Sequence, residues 1–166
     1  MDPTQAVRER FDGRAPEYDD STMHRALASA VAEFVDLDGV RDVLDAGTGT
    51  GLVEGDATAP PFPDGSFDLV TCVTALHLMP DGDAALAAWV RALRPGGRVV
   101  LATFAGFDPA HHHRHGATPP AYPVHHDRYD SVEKVHGVAT AAGLRVTRHA
   151  TWTHGDEGVL LTELGL

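Results

Sequence analysis

Hydrophobic positions recur along this chain with two periods, one suited to helices and one to strands. Ser21 precedes a stretch in which Leu27, Val31, Phe34 and Val35 fall on one helical face, predicting a capped helix to about Asp36. "RDVLDAG" reads as a short buried strand, Asp42–Ala46, stopped by glycine; "LVEGDA" resembles the end of another strand, and "FDLVTCV" is a third. "APPFPDGS", with three prolines and a Pro-Asp-Gly turn, excludes regular structure between the last two. "DGDAALAAWVRALRPGG" predicts a helix with Asp83 near its start and Leu86, Trp89, Val90 and Leu93 on one face. Pro95-Gly96-Gly97 is its expected stop. "RVVLATF" is apolar nearly throughout, as in a sheet covered on both faces.

The two ends of this pattern differ. Residues 1–20 mix charges with Gly and Pro and predict an arm with one or two helical turns. Residues 105–130 are rich in Gly, Pro and His and lack periodicity, which predicts a long loop. Ser131 then opens a helix whose Val135, Val138, Ala139 and Ala142 share a face, with Gly143 as its stop. "LRVTRHATW" and "GVLLTELGL", joined by "THGDE", predict an antiparallel pair. Without an internal repeat or a linker, residues 1–166 read as a single three-layer α/β domain.

Composition narrows the function more than the fold. The 166 residues, 43% hydrophobic and 22% charged, suffice for a real core. No apolar run approaches the roughly 20 residues needed to cross a bilayer. The first twenty residues lack the apolar region of a signal peptide. Cys72 is the single cysteine, which rules out an internal disulfide and fits a cytoplasmic location. The net charge of −11 argues against nucleic acid, which attracts clustered Lys and Arg, and against an anionic membrane. A small molecule is the expected partner.

The chemistry concentrates in "VLDAGTGTGLVEGDA". Gly47, Gly49 and Gly51 alternate with Thr48 and Thr50 just after a strand, where missing β-carbons permit a tight turn and close approach of a ligand. A dinucleotide fingerprint would need glycine at position 52, where Leu52 stands. Asp68 lies about where a ribose-binding acid would, but it precedes its strand instead of ending it. A dinucleotide oxidoreductase is therefore disfavoured. Taken in order, "VLDAGTGTG", "VEGDATAPPFPDGSFDLVTC" and "LRPGGRVVLATF" resemble the class I S-adenosylmethionine-dependent methyltransferases, particularly the small-molecule group.

That resemblance covers most of residues 14–104 and implies a three-layer Rossmann-like sandwich, its sheet mostly parallel with a C-terminal antiparallel hairpin. It implies S-adenosylmethionine as cofactor, S-adenosylhomocysteine as product and a small-molecule methyl acceptor. Asp45, Gly47, Thr48, Gly49 and Gly51 match the loop under the methionine and ribose portion. Asp56 and Ala57 match the pair that reads adenine, and Val73 and Thr74 match backbone positions near the methionine end. Tyr18, in "APEYDD", matches a segment that folds over the cofactor. Taken singly, Asp45 and Asp56 would read as turn residues and Tyr18 as a packing aromatic.

One part of the family pattern is missing. After the loop the family has a helix, a strand ending in a ribose-binding acid, and another helix. Only five residues separate Ala46 from Leu52 here, whereas a parallel crossover takes a dozen or more. Three explanations stand: a stretch absent from the sequence as read, a deletion of the crossover, or an "LVEGD" that is not a parallel strand. A deletion shortens the sheet by one helix–strand–helix unit and exposes a strand edge through which two chains could pair as a homodimer. It also removes the ribose acid, costing one to two decades of affinity per charged hydrogen bond, at roughly 1.5–3 kcal/mol each.

Histidines supply the remaining candidates. His111, His112, His113, His115, His125 and His126 cluster within a Pro/Gly-rich loop, which reads as solvated and carries no metal motif. His77, just past a strand end, is the candidate general base, although many methyl transfers need none. Methyl transfer to an O, N or C nucleophile is the primary reading. A non-catalytic or cofactor-impaired relative is the alternative, and a metal-binding protein ranks last.

Overall fold

The computed structural model describes residues 3–14, 20–48, 55–106 and 122–166. Its first element, α1 (Pro3–Arg14), is longer than the one or two turns expected of the arm. Gln5 donates to Glu9 at 3.0 Å and Arg8 lies 3.8 Å from Asp12, both one turn apart along the helix. The helix is polar almost all round, so no apolar stripe marked it in the sequence.

The second helix follows its sequence signals closely. α2 (Thr22–Phe34) is capped by Ser21, whose hydroxyl accepts the His24 amide. Its Leu27 and Val31 are buried as the helical spacing demands. β1 (Val43–Asp45) is one residue shorter at each end than the predicted strand, while β2 (Phe67–Val73) coincides with "FDLVTCV". α3 (Gly82–Ala92) is capped by Asp81, with the Ala84 amide on its carboxylate at 2.9 Å, and Asp83 lies in its first turn as expected.

β3 (Leu93–Phe104) begins where α3 ends, so Pro95-Gly96-Gly97 is no separating turn. Leu93 pairs with Phe67 and Arg98 with Leu69, so the Pro-Gly-Gly stretch forms a bulge inside the strand. Proline has no amide hydrogen to offer the ladder, and Gly96 takes φ +78, a conformation only glycine adopts without strain. Ser131 caps α4 (Val132–Ala141), and β4 (Arg145–His154) and β5 (Glu157–Gly165) form the expected hairpin about Gly155–Asp156.

The sheet order is β1-β2-β3-β5-β4, with β1, β2 and β3 parallel and β5 antiparallel to both its neighbours. Four strands therefore run one way and β5 alone is reversed. α3 and α4 cover one face, where Trp89, Leu86, Val135 and Ala139 meet Val70, Cys72, Val99, Leu101, Leu160 and Leu164. α2 covers the other, with Leu27 and Val31 against Ala102, Val159 and Leu161. This is the three-layer Rossmann-like α/β arrangement. Among the described residues β1 has a single strand neighbour, and Val43 stands 45% exposed at that edge.

The expected strand end at "LVEGDA" is not formed where it is described: Gly55–Ala59 is a turn, with the Ala59 amide on the Asp56 carbonyl at 3.0 Å. Fully buried Trp89 holds this turn to α3 by donating its indole N–H to the Ala57 carbonyl at 3.1 Å. Trp89→Phe keeps an aromatic ring but leaves that carbonyl unpaired. The expected loss is about 1–3 kcal/mol in urea unfolding, with faster hydrogen exchange at the Ala59 amide.

Candidate functional site

The site lies where β1 and β2 end and α2 crosses them. A carboxylate, that of Asp68, sets the geometry. It accepts the Arg41 and Asp42 amides at 3.0 and 3.1 Å and the Arg94 guanidinium at 2.9 Å. The two backbone amides and then Arg94 hold its pKa down, to about 2. Asp68 is the second residue of β2 and not, as expected, a residue before its strand. It thus fixes the entry into β1 through its Oδ2, which these partners occupy.

Downstream, the Ala46 amide reaches the Thr71 carbonyl at 2.7 Å, and the Thr71 hydroxyl donates to Asp45 at 2.7 Å. This orients the Asp45 carboxylate as the chain leaves the sheet. Gly47 follows with φ +83, and a β-carbon there would stand 2.5 Å from that of Ala75. Across from it, Thr74 takes φ +49, uncommon for a residue other than glycine, with its amide on the Ala102 carbonyl at 2.9 Å. Backbone strain of this kind concentrates at ligand sites.

These residues enclose a cavity of about 140 Å³ lined by His24, Leu27, Ala28, Asp45, Gly47, Thr48, Val73 and Thr74. Five of the expected cofactor residues, Asp45, Gly47, Thr48, Val73 and Thr74, are thereby brought together. The volume is below the roughly 300 Å³ of the smallest typical ligand pockets, which leaves room for no more than one end of a ligand. A carboxylate beside hydroxyls and an apolar wall suits a cationic group carried on a short chain.

Asp56 and Ala57 do not line this cavity. The Asp56 carboxylate accepts the Thr58 amide and hydroxyl, each at 2.8 Å, and these bonds lower its pKa. Gly49, Gly51 and Tyr18, like His111, His112, His113 and His115, lie outside the described residues. Sequence reasoning missed His24, whose Nδ1 is 2.7 Å from the Ser21 hydroxyl. The signal was present: His24, Leu27, Ala28 and Val31 share one face of α2 at i, i+3, i+4 and i+7 spacing.

His77 sits in the 3-10 turn Leu76–Leu78, only 5% exposed and off the cavity wall. Burial first, then the neighbouring His126 and His125, push its pKa down to about 3. It is neutral near pH 7 and, in this packing, a weak base. Cys72 is fully buried, and burial raises its thiol to about 12, so it offers no thiolate. Among the described residues no group of three or more His, Cys, Asp or Glu could hold a metal ion. No described helix is long and apolar enough to cross a membrane.

Such a fold, with a glycine turn and an acid at the end of its first strand, belongs to a nucleotide- or nucleoside-binding class. Residues 20–101 match the family model described as a methyltransferase domain. The chain belongs to the class I S-adenosylmethionine-dependent methyltransferases. It is 32% identical over 153 aligned positions to a demethylmenaquinone methyltransferase of Deinococcus radiodurans, covering 63% of this chain and 62% of the relative. It is 48% identical over 54 residues to the Beutenbergia cavernae protein of the same name, covering 32% and 22%. The chain thus spans less than two thirds of the length of these curated relatives. Among solved structures, the 1,6-didemethyltoxoflavin-N1-methyltransferase of Burkholderia thailandensis, with its substrate and S-adenosylhomocysteine bound, superposes with a TM-score of 0.65. That likeness is at 19% identity and covers 98% of this chain and 88% of the other.

Two outcomes follow from this geometry. Gly47→Ala should destabilise by about 1–2 kcal/mol for the backbone and a further 1–3 kcal/mol for the overlap with Ala75. Adding Ala75→Gly should recover the second part only, as read by urea unfolding.

For His77, the folded pKa of about 3 lies below the unfolded 6.5, so the unfolded chain binds more protons between these values. Stability from this group is full above pH 6.5 and declines as pH falls toward 3, by about 2 kcal/mol at pH 5. The fall between pH 7 and 5 should shrink by that amount in His77→Phe.

Proposed function

We propose that this protein transfers a methyl group from S-adenosylmethionine to a small aromatic acceptor. The observation that carries the reading is the convergence of Asp45, Gly47, Thr48, Val73 and Thr74 on one cavity. Asp45 suits the cationic ammonium of the cofactor's amino-acid end, while Gly47 lets the backbone approach it closely. The sulfonium is itself the activated group, so the residues need chiefly to align it with the acceptor. Such alignment can supply up to about 7–11 kcal/mol of the barrier. The low basicity of His77 accords with a transfer that needs no strong base. Relatives named for quinone substrates favour an aromatic acceptor, and a ring carbon or its hydroxyl as the nucleophile.

The shortened crossover is part of the same proposal. The residues from Thr48 to Gly55 are too few for a helix and a returning parallel strand. The Deinococcus match runs over 153 positions but takes in about 105 residues of this chain, so about 48 positions of the relative lack a counterpart. That is enough for one helix–strand–helix unit.

Isothermal titration with S-adenosylhomocysteine tests the proposal. The wild type should bind, and Asp45→Ala should bind at least tenfold more weakly, an effect of about 1.4 kcal/mol. Absence of binding to the wild type at millimolar ligand, or an unchanged affinity in Asp45→Ala, would contradict it.

A further inference from the structure

Beyond the cavity, at the carboxyl ends of β2 and β3, three rings form a cluster to which the proposed reaction assigns no role. The imidazoles of His77 and His126 are stacked, with centroids 4.0 Å apart and planes 22° from parallel. Phe104, the last residue of β3, stands edge-on to both, at 5.6 Å from His77 and 5.3 Å from His126. His77 is buried, yet its Nδ1 has no hydrogen-bond partner among the described residues. A buried nitrogen without a partner is a cost that folding alone rarely leaves standing. It therefore points to a ligand.

The position agrees. Ligands of α/β sheets bind beyond the carboxyl ends of the strands. Thr74, three residues before His77, lines the cavity, and Val73 and Phe104 both pack against the buried face of α2. The aromatic cluster thus adjoins the cavity. Its polar nitrogen, stacked ring and edge-on ring are what a flat molecule with one hydroxyl or N–H donor would meet.

We propose that Phe104 and His77 form the binding slot for the planar ring of the methyl acceptor, and that His126 fills this slot until the acceptor arrives. The proposal rests on the methyltransferase reading for the word acceptor, but the slot itself is a statement about His77, Phe104 and His126. His126 begins the 3-10 turn His126–Arg128. The turn is tied to the fold by the His125 amide on the His77 carbonyl at 2.8 Å and by Arg128 on both Asp83 oxygens at 2.9 Å. Those ties hold its backbone, so a rotation of the His126 side chain opens the slot. An entering ring replaces the imidazole stack and donates a hydrogen bond to His77 Nδ1.

β-Naphthol, a fluorescent planar phenol, serves as the probe, with its methyl ether as the control that cannot donate. The wild type should bind the naphthol at least fivefold more tightly than the ether. His126→Ala should bind it about tenfold more tightly than the wild type does, because the occupant is gone. His77→Phe, which keeps a stacking ring, should lose the preference over the ether. Equal affinity of the wild type for naphthol and ether overturns the proposal, as does an unchanged affinity in His126→Ala; neither depends on the folding of His77→Phe. Titration of the same proteins with S-adenosylhomocysteine separates the two readings. Loss of cofactor binding with naphthol selectivity intact would overturn the methyltransferase reading and leave the slot.

Discussion

The Asp68 carboxylate is the constraint on which the site depends. β1 is three residues long and has a single strand neighbour among the described residues, so its own ladder can hold it only weakly. Asp68 adds two backbone amides and a guanidinium to that hold at the strand's entrance, and Arg94 extends the tie to Asp42 at 2.7 Å. Register follows: Asp45 falls opposite Thr71, and the chain turns at Gly47 against Ala75. That anchoring, with the Ala46–Thr71 and Thr71–Asp45 bonds at the other end, holds the cavity residues of β1 against those of β2.

The opposite wall is set from further away. The Arg148 guanidinium donates to the Phe34 carbonyl at 2.6 Å and lies 4.3 Å over the Phe34 ring. It also meets Glu163, as does Arg98. These contacts tie the end of α2 to the antiparallel part of the sheet, while Leu27 and Val31 bury its face. His24, in the first turn of the helix, is carried into the cavity as a consequence. A polar side chain is thus placed by an apolar stripe that it does not belong to chemically.

Much of the fold was legible because its signals are local. Ser21 and Ser131 announce their helices through a hydroxyl that accepts an amide three residues on. "FDLVTCV" and the terminal hairpin show the residue types and turn chemistry of strands. α1 was underestimated because its stability draws on side-chain pairs one turn apart and not on periodicity. Pro95-Gly96-Gly97 misled because the same residues serve a turn or a bulge, and the choice depends on whether Leu93 finds Phe67 across the sheet. The Asp56 turn similarly follows from its hydroxyl and amide partners on Thr58, which local sequence makes available but does not compel.

From the sequence alone, short-range spacing determined the layer order, and the resemblance of its three motifs to the methyltransferases pointed to the family and to five residues of the cavity. Only the tertiary structure decided which helix face closes that cavity, that Asp68 is a clamp, and that His77 stacks with His126. The last two join residues 26 to 49 positions apart. Burial sets the chemistry of His77, because an imidazole removed from water disfavours its charged form, while backbone amides and Arg94 set that of Asp68.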